Sequence, residues 1–226
     1  MYQEADIILL NGAGYAKWTE STTLPTSRLI NTSESVSDQY IETDGQISHS
    51  HGPEGEHTHA EIAFTTWLDM SLAKAQATAI RDAIKGKIPG KEIELNSNLE
   101  TLIAELDEVD KLFKETLGNY EIVYGSHPVY QYLGRAYGVD IHSVHWEPGQ
   151  EINHDQWHEF EHILEDHKGT VMLWEGEPAE SVAKKLSDQG VSSIVFDPSG
   201  STPDEGDFIQ VMKQNASNLA ALQQAQ

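Results

Sequence analysis

The chain has 226 residues, 37 acidic against 14 basic, for a formal net charge of -23. It has no cysteine, so disulfides, thiolate metal sites and cysteine nucleophiles are excluded. A surface this acidic repels phosphate backbones and excludes nucleic acid as a partner, and no apolar run reaches the roughly 18 residues of a membrane span.

Residues 6–11 (DIILLN) form a short apolar run that stops at Gly12-Ala13-Gly14, the pattern of a buried strand ending in a tight turn. Residues 28–31 (RLIN) read as a second short strand. Residues 43–60 are a polar loop in which His49, His51, His57 and His59 fall within the stretch HSHGPEGEHTH. Imidazole is the commonest protein ligand for zinc. Gly52, Pro53 and Gly55 leave this stretch free to fold several rings around one ion, and Glu54 and Glu56 add oxygen donors. A helical pattern follows over 69–84, closed by Gly86, Pro89 and Gly90. The longest helical pattern spans 96–117, with Leu99, Leu102, Ile103, Leu106, Val109, Leu112, Phe113 and Leu117 on one face and Ser97 with Glu100 as a capping box.

Beyond Gly118 the pattern becomes regular: strands near 120–124, 139–146, 170–174 and 191–196 alternate with helices near 128–137, 155–167, 179–189 and 207–222. Such alternation predicts an α/β fold with a parallel sheet. Ligands bind outside the carboxyl ends of strands in sheets of this kind. His127 comes three residues after the first of these strands, Glu175 directly after the third and Asp197 directly after the fourth. One imidazole and two carboxylates on a common rim make a partial site for a divalent metal, and the histidine loop is the natural donor of further ligands. His154, His158 and His162 fall at i, i+4 and i+8, but Trp157, Phe160 and Leu164 mark the buried face of that helix, so the histidines are read as surface residues. His142 and His145 straddle the two faces of their strand and are not read as joint ligands. There is no G-x-S-x-G, no H-E-x-x-H and no phosphate-binding glycine loop.

The ordered segments ADIILLNGAGYAKW, AFTTWLDMSLAKAQA, YGSHPVYQYLGRAYGVD, LWEGEP and FDPSG resemble the metal-binding solute-binding proteins of ABC importers, the zinc/manganese cluster. The resemblance implies a two-lobed, periplasmic-binding-protein-like fold with parallel sheets joined by a long linking helix. The expected division is 1–93 for the first lobe, 94–117 for the helix and 118–226 for the second lobe. It implies capture of zinc, or else manganese, in the periplasm or at the cell surface, and delivery to an ABC permease, with no catalysis. His127 matches the family's histidine ligand, Asp197 its acidic ligand, and Glu175 an acid beside the site. Two departures stand out. Thr65 occupies a position where the family pattern carries histidine, and the chain begins near a point where the family has a preceding segment, so the first lobe is expected to be incomplete. Four loop histidines favour zinc. The competing readings are a metal-dependent hydrolase with Glu175 as base, and a non-transport metal buffer or interaction protein.

Given Thr65 where the resemblance implies a histidine ligand, the expectation is that loop histidines, His57 or His59 first and His51 as a further candidate, replace it; the alternative is that the loop acts as a low-affinity collector or sensor. Replacing His57 and His59 together with alanine is expected to weaken zinc binding by orders of magnitude in a chelator-competition titration.

Overall fold

A computed structural model describes residues 2–43, 61–203 and 205–225. The histidine-rich stretch, with His51, His57 and His59, lies outside the described residues. The chain divides into two units, Met1–Trp67 with Ser71–Leu102, and Leu68–Met70 with Ile103–Gln226. No helix among the described residues is long and apolar enough to cross a membrane.

In the first unit, β1 (Ile8–Leu10) and β2 (Leu29–Asn31) pair in parallel. The turn after β1 holds three successive left-handed residues, Gly12, Ala13 and Gly14. Gly12 cannot be replaced freely: a Cβ there would meet Asn31 Oδ1 at 2.0 Å and Ser33 Oγ at 2.2 Å. Two very short strands, β3 (Glu42–Thr43) and β4 (Glu61–Ile62), pair antiparallel. Helix α1 (Met70–Lys85) follows. Its Gln76, 8% exposed, is the polar keystone of this unit. The amide donates to Asn11 Oδ1 at 2.7 Å and Thr32 Oγ1 at 3.2 Å, while its carbonyl accepts from Thr66 at 3.1 Å. One side chain therefore satisfies groups that follow β1, follow β2 and precede α1.

Helix α2 (Glu92–Leu117) starts four residues before the expected point. The left-handed Gly90 is the real break, and nothing in EIELN resists helix. Ser97 is therefore inside the helix, where its carbonyl accepts from the Thr101 hydroxyl, and no capping box forms there. At 1.5 Å per residue the helix is about 39 Å long, and it carries residues of both units. Leu106, Val109, Phe113 and Leu117 are buried; Leu99, Leu102, Ile103 and Leu112 are half-buried.

The second unit contains β5 (Ile122–Gly125), α3 (Gln131–Tyr137), β6 (Asp140–Ser143), α4 (His154–Asp166), β7 (Val171–Trp174), α5 (Glu180–Asp188), β8 (Ser192–Val195) and α6 (Phe208–Ala225). The sheet is parallel with order β6-β5-β7-β8. Tyr124, Met172 and Trp174 share one face and pack with Trp157 and Phe160 of α4 and Val182 and Leu186 of α5. Directly after β8, Phe196 packs against Phe113 of α2 at 5.4 Å and Tyr130 at 5.7 Å. The expected strand over 139–146 is shorter: regular pairing stops at Ser143. The chain then bends outward, still tied by Val144 N–H to Gly125 O and Trp146 N–H to Ser126 O.

Gln76→Ala leaves buried partners of three segments unsatisfied. It is expected to cost about 1–3 kcal/mol, read as a lower urea midpoint for unfolding.

Candidate metal centre

The order β6-β5-β7-β8 reverses direction between β5 and β7: the chain moves outward from β5 to β6, then returns to add β7 on the other side. The crevice beyond the carboxyl ends of β5 and β7 is where such sheets bind ligands. The loop after β5 carries His127, and Glu175 follows Trp174 at the end of β7. His127 Nδ1 lies 3.4 Å from Glu175 Oε1, and Nε2 lies 3.4 Å from Glu147 Oε1. Nδ1 is buried and has no hydrogen-bond partner. The imidazole thus stands between two carboxylates, with a shielded nitrogen that faces Glu175 without forming a hydrogen bond to it.

Backbone geometry holds the ring in place. Gly125 ends β5 with space for no side chain: a Cβ would stand 2.8 Å from Ser143 Oγ and 3.1 Å from His127 O. Val129 N–H donates to His127 O, closing a tight turn. Tyr130, fully buried, donates its hydroxyl to Phe196 O at 2.8 Å and ties this loop to the end of β8.

Asp197 is fixed from two directions. Its Oδ1 accepts from Ser199 N–H at 2.7 Å, within a turn whose Ser199 adopts a left-handed φ of 56°. Its backbone is clamped by Asn215 of α6, which accepts from Asp197 N–H at 3.0 Å and donates to Asp197 O at 2.8 Å. One turn further along, Asn218 donates to Val195 O at 2.9 Å. Two asparagines at i, i+3 on α6 therefore bracket the end of β8.

The acids press on one another. Burial raises the Glu175 carboxyl above its ordinary range. The His127 imidazole counteracts this, and the negative charges of Glu147 and Asp197 reinforce it. The Tyr130 phenol is pushed well up, chiefly by burial and then by Glu175 and Asp197. Asp197, Glu175 and His127 therefore belong to one electrostatic neighbourhood, which gains from a cation.

Of the residues singled out in the sequence, His127 and Glu175 are in direct contact, and Asp197 lies near enough to bear on Glu175. His51, His57 and His59 fall outside the described residues. The sequence reading missed Glu147 and did not place His145, which it named only in relation to His142, beside His127; the two ring centroids lie 5.9 Å apart. Their signal was the segment HWE where alternation fails, since chain leaving a strand end swings toward the rim. Asn215 and Asn218 were also missed; polar residues at i, i+3 on an apolar helix face were the available cue.

A carboxyl with a raised folded-state pKa favours the folded state less once both states ionise. Its penalty is present at neutral pH and absent below the ordinary carboxylate value of about 4.3. Glu175→Gln is therefore expected to raise the melting temperature of metal-free protein at pH 7. That gain should disappear toward pH 4 in a series of thermal unfolding curves.

The family model described as zinc-uptake complex component A, periplasmic (ZnuA), matches residues 1–222. The zinc-binding lipoprotein AdcA of Streptococcus pneumoniae R6 is 26% identical over 185 residues, covering 78% of this chain and 36% of AdcA. The chain thus spans about a third of the length of that curated relative. Among solved structures, the metal-dependent lipoprotein YcdH of Bacillus subtilis superposes with a TM-score of 0.76 at 21% identity, covering 98% of this chain and 80% of YcdH. The Zn(II)-bound ZnuA-like domain of S. pneumoniae AdcA gives 0.76 at 20% identity, covering 99% and 80%. TroA, the periplasmic zinc binding protein of Treponema pallidum, gives 0.68 at 18%, covering 97% and 81%. These likenesses establish the two-lobed α/β fold, and with the family match over nearly the whole length, the chain belongs to the ZnuA family of periplasmic zinc-uptake components.

Proposed function

We propose that this chain captures a divalent cation outside the cytoplasm, zinc in preference to manganese, and passes it to an ABC permease in the membrane. The observation that carries the reading is the His127 imidazole between Glu147 and Glu175, with its Nδ1 buried and making no hydrogen bond at the reversal of the sheet. A buried polar atom without a partner is costly, and a bound cation with its water shell removed offsets that cost. In this reading His127 and Asp197 are direct ligands and Glu175 supports them. His51, His57 and His59 of the loop supply further nitrogen, the donor type that favours zinc over manganese. The zinc named for AdcA's bound domain and for the family description supports the same choice. Capture needs no turnover: the metal is cargo, held by neutral imidazole and ionised carboxylate in place of water. The net charge of -23 adds a general attraction for cations.

Chelator competition with zinc tests the proposal. His127→Ala and Asp197→Ala should each weaken binding by more than the roughly 10–100-fold that losing an outer partner of a metal ligand costs. Wild-type affinity should fall as the solution is acidified, because a proton on an imidazole ligand competes with the ion. Unchanged affinity in both variants would overturn the reading.

A further inference from the structure

A second set of metal-ligating side chains converges at the amino-terminal rim of the same sheet, away from His127. Asp140 opens β6, and His142 follows two residues later. The two-residue period of a strand sets both on one face, with His142 Nε2 3.0 Å from Asp140 Oδ2. Opposite them stands His167, the residue that caps the carboxyl end of α4. Its ring stacks on His142 with centroids 3.6 Å apart and planes 22° from parallel. One ligand atom from each of the three residues lies within 4.8 Å of the others.

The surrounding backbone makes this more than a chance meeting of surface groups. His167 N–H donates to Ile163 O at 2.8 Å. Its carbonyl accepts the Tyr124 hydroxyl, whose oxygen in turn accepts from Gly169 N–H at 2.9 Å. Tyr124 is fully buried and sits directly across from His142 in the β5–β6 register. One anchored phenol therefore fixes the segment carrying His167, while strand pairing fixes His142. The carboxyl end of a 13-residue helix also presents the negative pole of its dipole at this spot, which favours a cation.

The geometry points to a second zinc site at Asp140, His142 and His167, separate from the His127 centre. Two imidazoles and one carboxylate suit a borderline divalent ion; calcium and magnesium favour all-oxygen shells. Three protein donors leave a position for water, and the Asp140 side chain is 65% exposed, so the ion enters and leaves directly. Nearly parallel stacked rings cannot both aim a nitrogen lone pair at one ion, so binding opens the stack. The site fills after the His127 centre and holds zinc more loosely, a store at the far end of the same unit.

Long-range ¹H–¹⁵N spectra of histidine-labelled full chain, titrated with zinc chloride, read each imidazole separately. Resonances are assigned with His142→Ala and His167→Ala. The ring nitrogens of His142 and His167 should shift together with one midpoint in free zinc, the same in wild type and in His127→Ala, while in added zinc the wild-type midpoint comes later because the His127 centre fills first. His142→Gln should abolish the His167 shift, and Asp140→Asn should raise the shared midpoint at least about tenfold. Different midpoints for the two rings, no shift at zinc levels that saturate the other histidines, or an unaltered His167 response in His142→Gln would overturn the assignment. Should His142→Gln lose its circular dichroism signature, the midpoint in Asp140→Asn, a change at an exposed side chain, decides for or against the site alone. Because the His127→Ala titration is read independently, failure of either site leaves the other's test intact.

Discussion

The His127 centre depends on one topological constraint: the parallel sheet of the second unit reverses its order between β5 and β7. Where adjacent strands send their following segments to opposite sides, a crevice opens at their carboxyl ends. The residues that follow β5 and β7 then meet there without any long excursion. His127 and Glu175, 48 positions apart, reach 3.4 Å from each other for this reason. Parallel pairing of β7 with β8 brings the end of β8 to the same rim, and with it Asp197. The large aromatic core beneath, with Trp146 in ring contact with Trp157, Phe160 and Trp174, backs that platform.

Electrostatics at this rim are arranged against the metal-free state. Glu147 and Glu175 place negative charge beside a partly shielded imidazole, and burial, together with Glu147 and Asp197, raises Glu175. No lysine or arginine is paired with Glu147, Glu175 or Asp197 at the salt-bridge distance among the described residues, whereas the surface of α2 pairs Lys114 with Asp110 and Lys111 with Glu115. Surface charge on α2 is balanced by neighbouring lysines, and the acids of the rim have no such partner among the described residues. Asn215 and Tyr130 matter because they hold backbone at the ends of β5 and β8 by uncharged hydrogen bonds, which add no positive charge to the rim.

Element type was legible where local pattern and tertiary demand agreed. The strand–helix alternation beyond Gly118 gave each element of the second unit nearly in place, because a parallel strand buried on both faces reads as an unbroken apolar run and an amphipathic helix as a stripe. Boundaries failed where two local signals competed. Ser97 and Glu100 looked like a helix start, yet Gly90 stops the preceding chain and α2 runs through Ser97. β6 ended early because its partner β5 ends at Gly125, and a strand extends only as far as it has something to pair with.

The amino-acid sequence by itself determined the donor types available to a metal, the exclusion of thiolate chemistry, the alternation that fixes a parallel sheet, and the placement of His127, Glu175 and Asp197 just after strand ends. Those properties are local: they depend on residue identity, period and position relative to a strand. Only the tertiary structure decided which acids face His127, that Glu147 joins Glu175 there, that Asn215 clamps Asp197, and that His142 turns to His167 while His145 turns to His127. Those outcomes depend on strand order and on where the chain bends after pairing ends. Both are set by packing between segments far apart in the chain, which no local pattern encodes.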